Sequence, residues 1–125
     1  MATEEAMQCI TVPASTDLSS YQYCGVYINS SGQLALAGEG VAAIGILQDK
    51  PAAQGRAGRV CIGGRSKVKA GATLAPGARF SFGSSYTAIA VGSGDDWSMG
   101  VILATGNTAS GSIYDCLVQP TGPTV

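Results

Sequence analysis

Glycine and proline recur so often along this chain that long helices have no room to form. The sequence contains 18 glycines and 5 prolines among 125 residues. After residue 12, no stretch free of both is longer than the ~11–12 residues of an average helix. The short runs between these breakers are rich in β-branched and aromatic side chains, which favour strands. The pattern predicts an all-β fold, either a compact β-barrel or β-tulip-like structure or a small sandwich, with glycine-rich turns.

Ten runs are predicted as strands, near residues 8–12, 21–28, 33–37, 41–48, 58–62, 66–69, 79–82, 86–91, 97–104 and 112–119. Turn signals lie between them, among them Gly63-Gly64 and Ala75-Pro76-Gly77. Because Gly77 follows a proline in this turn, it is predicted to have a positive φ. We expect one domain, with an N-terminal arm at 1–7, a β core at 8–119 and a C-terminal tail at 120–125. The predicted structural turn positions are Gly45, Gly71, Pro76, Gly77 and Gly100.

Two parts of the chain resemble each other at a spacing of 55 residues. Residues 43–47 (AIGIL) resemble 98–102 (SMGVI), and residues 60–62 (VCI) resemble 115–117 (DCL). This spacing aligns Gly45 with Gly100 and Cys61 with Cys116. Small residues are abundant here, so chance similarity is the alternative explanation. If the repeat is real, two similar hairpins occupy related places in one barrel.

Charge is scarce and unevenly placed. Charged residues make up 12% of the chain, and all seven basic ones lie between Lys50 and Arg79, where there is no acid. The eight acids lie outside this stretch, so a middle of +7 and flanks of −8 give the net charge of −1. Such asymmetry favours head-to-tail contact between copies or docking on an acidic surface. The alternative is a solvated face on which the charges mix once neighbouring strands fold.

The residues needed for catalysis are largely missing. Without histidine, neither a Ser-His-Asp nor a Cys-His site can form, and a zinc site would need four distant cysteines. The four cysteines are interpreted as reduced and buried. Asp95-Asp96 is interpreted as a solvated turn rather than a cation site. The sequence therefore predicts no enzyme, no metal or cofactor and no small-molecule substrate.

Nucleic-acid and membrane partners are also not expected. The basic stretch contains no aromatic residue, and aromatic side chains are what single-stranded binding surfaces interleave with basic ones. No apolar run approaches the ~18 residues of a membrane span. The start of the chain lacks the basic and apolar regions of a signal peptide. We expect synthesis in a cytoplasm, from which the protein is kept or packaged.

Tyrosine and tryptophan add candidates for partner contact. Three tyrosines lie two or four residues apart, which predicts one strand face that is either a contact patch or the edge of the core. The candidate contact residues are Glu4, Glu5, Met7, Tyr21, Tyr23, Tyr27, Arg56, Arg59, Arg65, Lys67, Lys69, Arg79 and Trp97.

Several stretches together resemble the small bacteriophage head-decoration, or capsid cement, proteins. The strongest is residues 68–80 (VKAGATLAPGARF), a block of lysine, alanine and glycine that ends on a phenylalanine. The others are residues 43–47 (AIGIL), 59–64 (RVCIGG), 99–103 (MGVIL) and 114–118 (YDCLV). The resemblance covers about residues 41–119, and the serine- and tyrosine-rich start and the cysteines depart from it.

The resemblance implies a structural role in the virion. Such proteins bind the outer surface of an expanded head, bridge major capsid protein subunits and often form homotrimers, with an N-terminal arm able to add a strand to a capsid loop. The expected partners are therefore the major capsid protein and other copies of the chain. The alternative function is a tail, fibre or baseplate β module that binds a host glycan or another virion protein.

Overall fold

A computed structural model describes residues 7–39, 41, 43–72, 74–91, 98–104 and 113–121. These residues form nine strands and no helix, so the predicted all-β fold is confirmed. The strands are β1 (Met7–Pro13), β2 (Gly25–Ile28), β3 (Leu34–Leu36), β4 (Gly45–Leu47), β5 (Ala57–Lys69), β6 (Arg79–Phe82), β7 (Ala88–Ala90), β8 (Ser98–Ala104) and β9 (Ile113–Thr121).

The predicted turn at Gly63-Gly64 is wrong, because both glycines lie inside the 13-residue strand β5. They pair with β1, and Gly64 also pairs with Val118 of β9, so ladder contacts on both edges keep the backbone extended. Ile62 is the extra residue of a bulge there, since Cys9 pairs with Cys61 and the preceding Gln8 pairs with Gly63.

The glycines at 45 and 100 also lie in strands, β4 and β8, rather than in the predicted turns. A Cβ on Gly45 would collide with the carbonyl of Cys61, and one on Gly100 with that of Leu117. Both glycines therefore allow close approach of the partner strand, which is a different reason for glycine than a turn.

All strand pairs in the sheet are antiparallel, and β5 lies at its centre. The strand order is β3-β2-β4-β5-β9-β8-β6-β7, and β1 pairs with the other edge of β5. Read outward from β5, the two halves of this order match: β4, β2 and β3 on one side correspond to β8, β6 and β7 after β9 on the other. The sheet thus consists of two similar units that share β5.

The first unit (residues 7–62) and the second unit (residues 63–121) match residue by residue. Val26 pairs with Leu36 and Phe80 with Ala90, which is a shift of 54 residues in both strands (80 − 26 and 90 − 36). In the next pair, Val26 lies opposite Gly45 and Phe80 opposite Gly100. The internal repeat predicted from the sequence is therefore confirmed, and it extends over nearly all of the described chain.

The last strands of the two units are shifted by one residue more. Cys9 pairs with Cys61, whereas Arg65 pairs with Leu117, so both strands move by 56 (65 − 9 and 117 − 61). Cys61 consequently corresponds to Leu117, and the predicted match of Cys61 with Cys116 is wrong by one position. A sequence comparison with a fixed spacing cannot detect this change.

Each unit curls until its first and third strands meet. A parallel bridge joins Ala14, after β1, to Leu34 of β3, and an equivalent bridge joins Ala70 to Ala88. The backbone bonds beside the bridges also match, from Ser15 N to Leu34 O at 2.9 Å and from Gly71 N to Ala88 O at 2.8 Å. The curled shape lets each unit enclose a core of its own.

The two cores are built from corresponding positions. The first contains Val12, Ala14, Leu18, Val26, Leu34, Leu47 and Val60. The second contains their counterparts Val68, Ala70, Leu74, Phe80, Ala88, Ile102 and Cys116. The second core also includes Ala37, Ala43, Ile46 and Cys61 of the first unit, because the second unit packs against the outside of the first.

Two positive φ angles on tyrosines are explained by the repeat. Tyr23 has a φ of 67° and corresponds to Gly77, whose φ of 86° confirms the prediction made from Pro76. Tyr86 has a φ of 66° and corresponds to Gly32, with a φ of 76°. The same backbone turn therefore occurs twice, with glycine in one copy and tyrosine in the other.

Candidate interaction surface

Three of the predicted contact residues form a row on the outside of the second unit. Arg65, Lys67 and Lys69 alternate along β5 with the buried residues Ser66, Val68 and Ala70. Because successive side chains on a strand point to opposite faces, all three basic side chains lie on the outer face. We call Arg65, Lys67 and Lys69 the basic row. Arg65 and Lys67 are exposed, and Lys69 is half-buried.

Strand β9 places one carboxylate and one apolar residue beside the basic row. Asp115 lies directly opposite Lys67 and accepts a hydrogen bond from Arg65, with Nη2 and Oδ2 3.1 Å apart. Both side chains of this ion pair are exposed, 43% for Arg65 and 37% for Asp115, so it adds little to stability. Ile113 lies opposite Lys69 and is 43% exposed. Three cations against one carboxylate leave a net positive patch with an apolar border.

The other basic residues do not share this face. Arg59 is exposed on the first unit, and its backbone N–H donates to Asp49 Oδ1 at 3.0 Å. Arg79 begins β6 and donates from Nη1 to Ser98 Oγ at 3.0 Å. Arg56 and Lys50 are exposed in the loop that precedes β5. The basic stretch is therefore distributed over both units, and only the basic row is a contiguous strand face.

The tyrosines do not form the single strand face that their spacing predicts, because Tyr21 and Tyr23 lie in a turn before β2 begins at Gly25. All three are half-buried; Tyr23 and Tyr27 pack on the second core and Tyr21 on the first. The rings of Tyr21 and Tyr86 are 5.7 Å apart and nearly perpendicular, which joins the first unit to the second. These tyrosines connect the units more than they offer a free patch.

A cleft of about 250 Å³ opens where the two units meet beside the basic row. Its lining combines the Lys69 ammonium with the hydroxyl-bearing residues Ser20, Ser85 and Thr87 and the ring of Tyr21. Within the described part of the chain, no carboxylate lies within ion-pair distance of Lys69. The cleft suits a single side chain or a sugar-sized group with an oxyanion. Its residues come from three separated segments, which is why the sequence did not indicate it.

Four of the candidate contact and acidic positions cannot be placed. Glu4, Glu5 and Trp97 lie outside the described residues, as does the Asp95-Asp96 turn. Met7 begins β1, where its backbone pairs with Gly64.

The cysteine thiols are held in their neutral form. Cys24, Cys61 and Cys116 are buried, and Cys9 is half-buried. Burial raises the pKa of all three buried thiols, that of Cys116 to about 12. Across the described ranges, no group of three or more histidine, cysteine or acidic side chains is placed to hold a metal ion. Nor does the described chain contain a helix able to span a membrane.

Comparison with known proteins gives one informative likeness, to a solved structure. No family model matches the sequence, and no curated protein matches it either. The fold is similar to the crystal structure of the head fibre gp8.5 N base of bacteriophage phi29, with a TM-score of 0.65. The match covers 91% of this chain and 95% of the other at 14% sequence identity, so it establishes a shared fold.

Proposed function

We propose that this protein is a structural component of a bacteriophage virion that binds the outer surface of the head and stabilises it by bridging major capsid protein subunits. The observation that supports this most is the fold likeness to the base of a phage head fibre, because it spans nearly the whole of both chains. The resemblance of residues 41–119 to capsid cement proteins points to the same class of function.

The basic row supplies a physical means of docking. Arg65, Lys67 and Lys69 project from a rigid strand that is paired along β9, so little conformational entropy is lost when they bind. Opposite charge on a partner increases the rate of encounter and selects the orientation of docking. Exposed Ile113 beside Lys69 adds apolar area to the same patch. We propose an acidic region of the major capsid protein as the partner of this row.

A role without catalysis agrees with the residues available. The sequence has no histidine, and the buried cysteine thiols have raised pKa values that disfavour the nucleophilic thiolate. Binding energy spread over many subunits is sufficient for stabilisation, because several weak contacts per oligomer combine through effective concentration.

Cosedimentation with phage heads tests the proposal. We expect saturable binding to expanded, undecorated heads and weaker binding to unexpanded proheads. Reversing two charges of the basic row, Lys67→Glu with Lys69→Glu, is expected to weaken binding about 10- to 100-fold and to reduce its salt dependence. Lys50→Glu is the matched control, because Lys50 is exposed and lies outside the row. Equal binding of the control and the double variant would exclude the basic row as the docking site.

A second candidate function is a fibre or baseplate module that binds a host glycan. The cleft beside Lys69 supports it, because a ring, hydroxyl groups and one cation are the usual partners of an acidic sugar. A glycan array separates the two functions: selective binding of acidic sugars that Thr87→Val abolishes, with no binding to heads, would favour the glycan module.

A further inference from the structure

The two units differ in how one end of each core is covered. In the second unit, the inward-facing residues at this end are Phe82, Met99 and Val118, all buried. Their counterparts in the first unit are Ile28, Ile44 and Ile62, at shifts of 54, 55 and 56 residues. Ile28 is 42% exposed, and Ile44 and Ile62 are only partly buried. We call Ile28, Ile44 and Ile62 the open end of the first unit.

The end of the second unit is covered by the outer face of the first. Ala37, Ile46 and Cys61 point away from the first core and belong to the cluster around Phe82. The contact with Phe82 is direct, since a Cβ on Gly25 would collide with its ring. The molecule therefore contains one complete example of a core end packed on the outer face of another unit.

The same outer face exists on the second unit, where nothing described covers it. Ala37, Ile46 and Cys61 correspond to Val91, Val101 and Leu117, because Val91 N bonds to Arg79 O as Ala37 N bonds to Gly25 O, and because the strand registers match. All three counterparts are apolar and only partly buried. We call Val91, Val101 and Leu117 the outer face of the second unit.

We propose that the open end of the first unit binds the outer face of the second unit of another copy, so that the contact within one chain is repeated between chains. This assigns a self-association surface with two different halves. Each copy provides one half to each neighbour, so the association is heterologous and closes into a ring or continues as a filament. The units would then alternate, first and second, around the assembly.

The side chains at the contact are complementary in size. Gly25 leaves room for the large Phe82 within the chain. Between chains, the larger Arg79 stands in the place of Gly25 and the smaller Ile28 in the place of Phe82. The larger residue on one side is thus matched by a smaller one on the other, which keeps the total volume similar.

The proposed contact leaves most of the basic row accessible. Lys67 and Lys69 correspond to Thr11 and Pro13 of β1, which remain exposed beside the contact within the chain. Self-association therefore uses a different part of the surface from the proposed docking on a head, and it does not depend on that function.

Sedimentation velocity with purified protein tests the proposal. We expect the wild-type chain to form a discrete oligomer or a filament at micromolar concentration. Ile28→Glu and Leu117→Glu each place a charge against an apolar partner and are expected to weaken association ~100-fold. Ile113→Glu is the control, because its exposure of 43% matches the 42% of Ile28 and its counterpart Ala57 lies outside the contact.

Mixing the two variants provides the decisive measurement. Ile28→Glu keeps an intact outer face and Leu117→Glu keeps an intact open end, so an equimolar mixture should form a dimer of one chain of each and nothing larger. Two-fold symmetric association predicts no such recovery and would overturn the proposal, as would a monomeric wild-type protein at 100 µM, about the upper end of weak specific affinities. Thermal melting checks that each variant folds, and Ile28→Asn replaces Ile28→Glu if the latter does not.

Discussion

Gly58 and Tyr114 occupy corresponding positions in the two units, each directly opposite a buried valine, Val12 and Val68. In the first unit Leu34 fills the space, since a Cβ on Gly58 would lie 2.9 Å from Leu34 Cδ1. In the second unit the counterpart of Leu34 is only an alanine, and the fully buried Tyr114 ring takes its place. The two cores thus reach similar packing by exchanging volume between one pair of positions.

This exchange predicts strong coupling between positions 34 and 58. Leu34→Ala should lower the free energy of unfolding by about 2–5 kcal/mol because it leaves a cavity. Gly58→Tyr alone should destabilise the fold by overpacking. The double variant should lose at least ~1 kcal/mol less than the two single losses combined, measured by urea denaturation. Strict additivity would show that the two positions do not share one space.

Tyr114→Phe is expected to stabilise the protein or leave it unchanged. The Tyr114 hydroxyl is buried and has no hydrogen-bond partner among the described residues. A buried hydroxyl without a partner costs about 1–3 kcal/mol, so its removal should raise the free energy of unfolding by about 1 kcal/mol. Differential scanning calorimetry measures the change. A clear decrease in melting temperature would mean that the hydroxyl has a partner in the native state.

Gly100→Ala should be much more damaging than an ordinary strand substitution. Its Cβ would collide with the carbonyl of Leu117 on β9, and a backbone atom cannot move aside as a flexible side chain can. We expect a loss of about 3 kcal/mol or more in the free energy of unfolding. Gly63→Ala is the control, because the nearest atom to its Cβ would be Gln8 Oε1 at 3.4 Å. Similar losses for the two variants would contradict this explanation.

Gly77→Val tests backbone conformation without a steric clash. The φ of Gly77 is 86°, but a Cβ there would meet nothing within 4 Å. The expected loss of about 1–3 kcal/mol therefore comes only from placing a β-branched residue at positive φ. Gly77→Asn should lose less, because asparagine tolerates this region better. Chemical denaturation compares the two, and equal stability of Gly77→Val and the wild type would refute the conformational argument.

Stability should decrease at alkaline pH through Cys116. Burial is the main cause that raises the pKa of its thiol from the ordinary 9.0 to about 12 in the folded state, with smaller effects of Cys61 and Asp115. The folded state then holds its proton more tightly than the unfolded state. The resulting stability is fully present below pH 9 and is lost as the pH rises toward 12. Urea denaturation at pH 8 and pH 10.5 should show the decrease, and Cys116→Ala should show a smaller one.

The repeat illustrates how far the sequence alone could lead. Its clearest part, Gly45 and Gly100, was visible because both positions require glycine for the same steric reason. The hairpins β2–β3 and β6–β7 have the same register and turns, yet Val26 corresponds to Phe80 and Gly32 to Tyr86. Side chains that compensate in pairs preserve the backbone while they remove sequence similarity.

The sequence by itself determined that this chain is an all-β protein with a positive-φ turn at Gly77 and a repeated glycine strand. These properties depend on local sterics, which glycine and proline fix wherever they stand. Only the tertiary structure decided that Gly63-Gly64 continues a strand, that the tyrosines connect two units, and that one core end is covered and the other open. Those outcomes depend on which distant strands supply hydrogen bonds and apolar area, and residues close together in sequence carry no record of that.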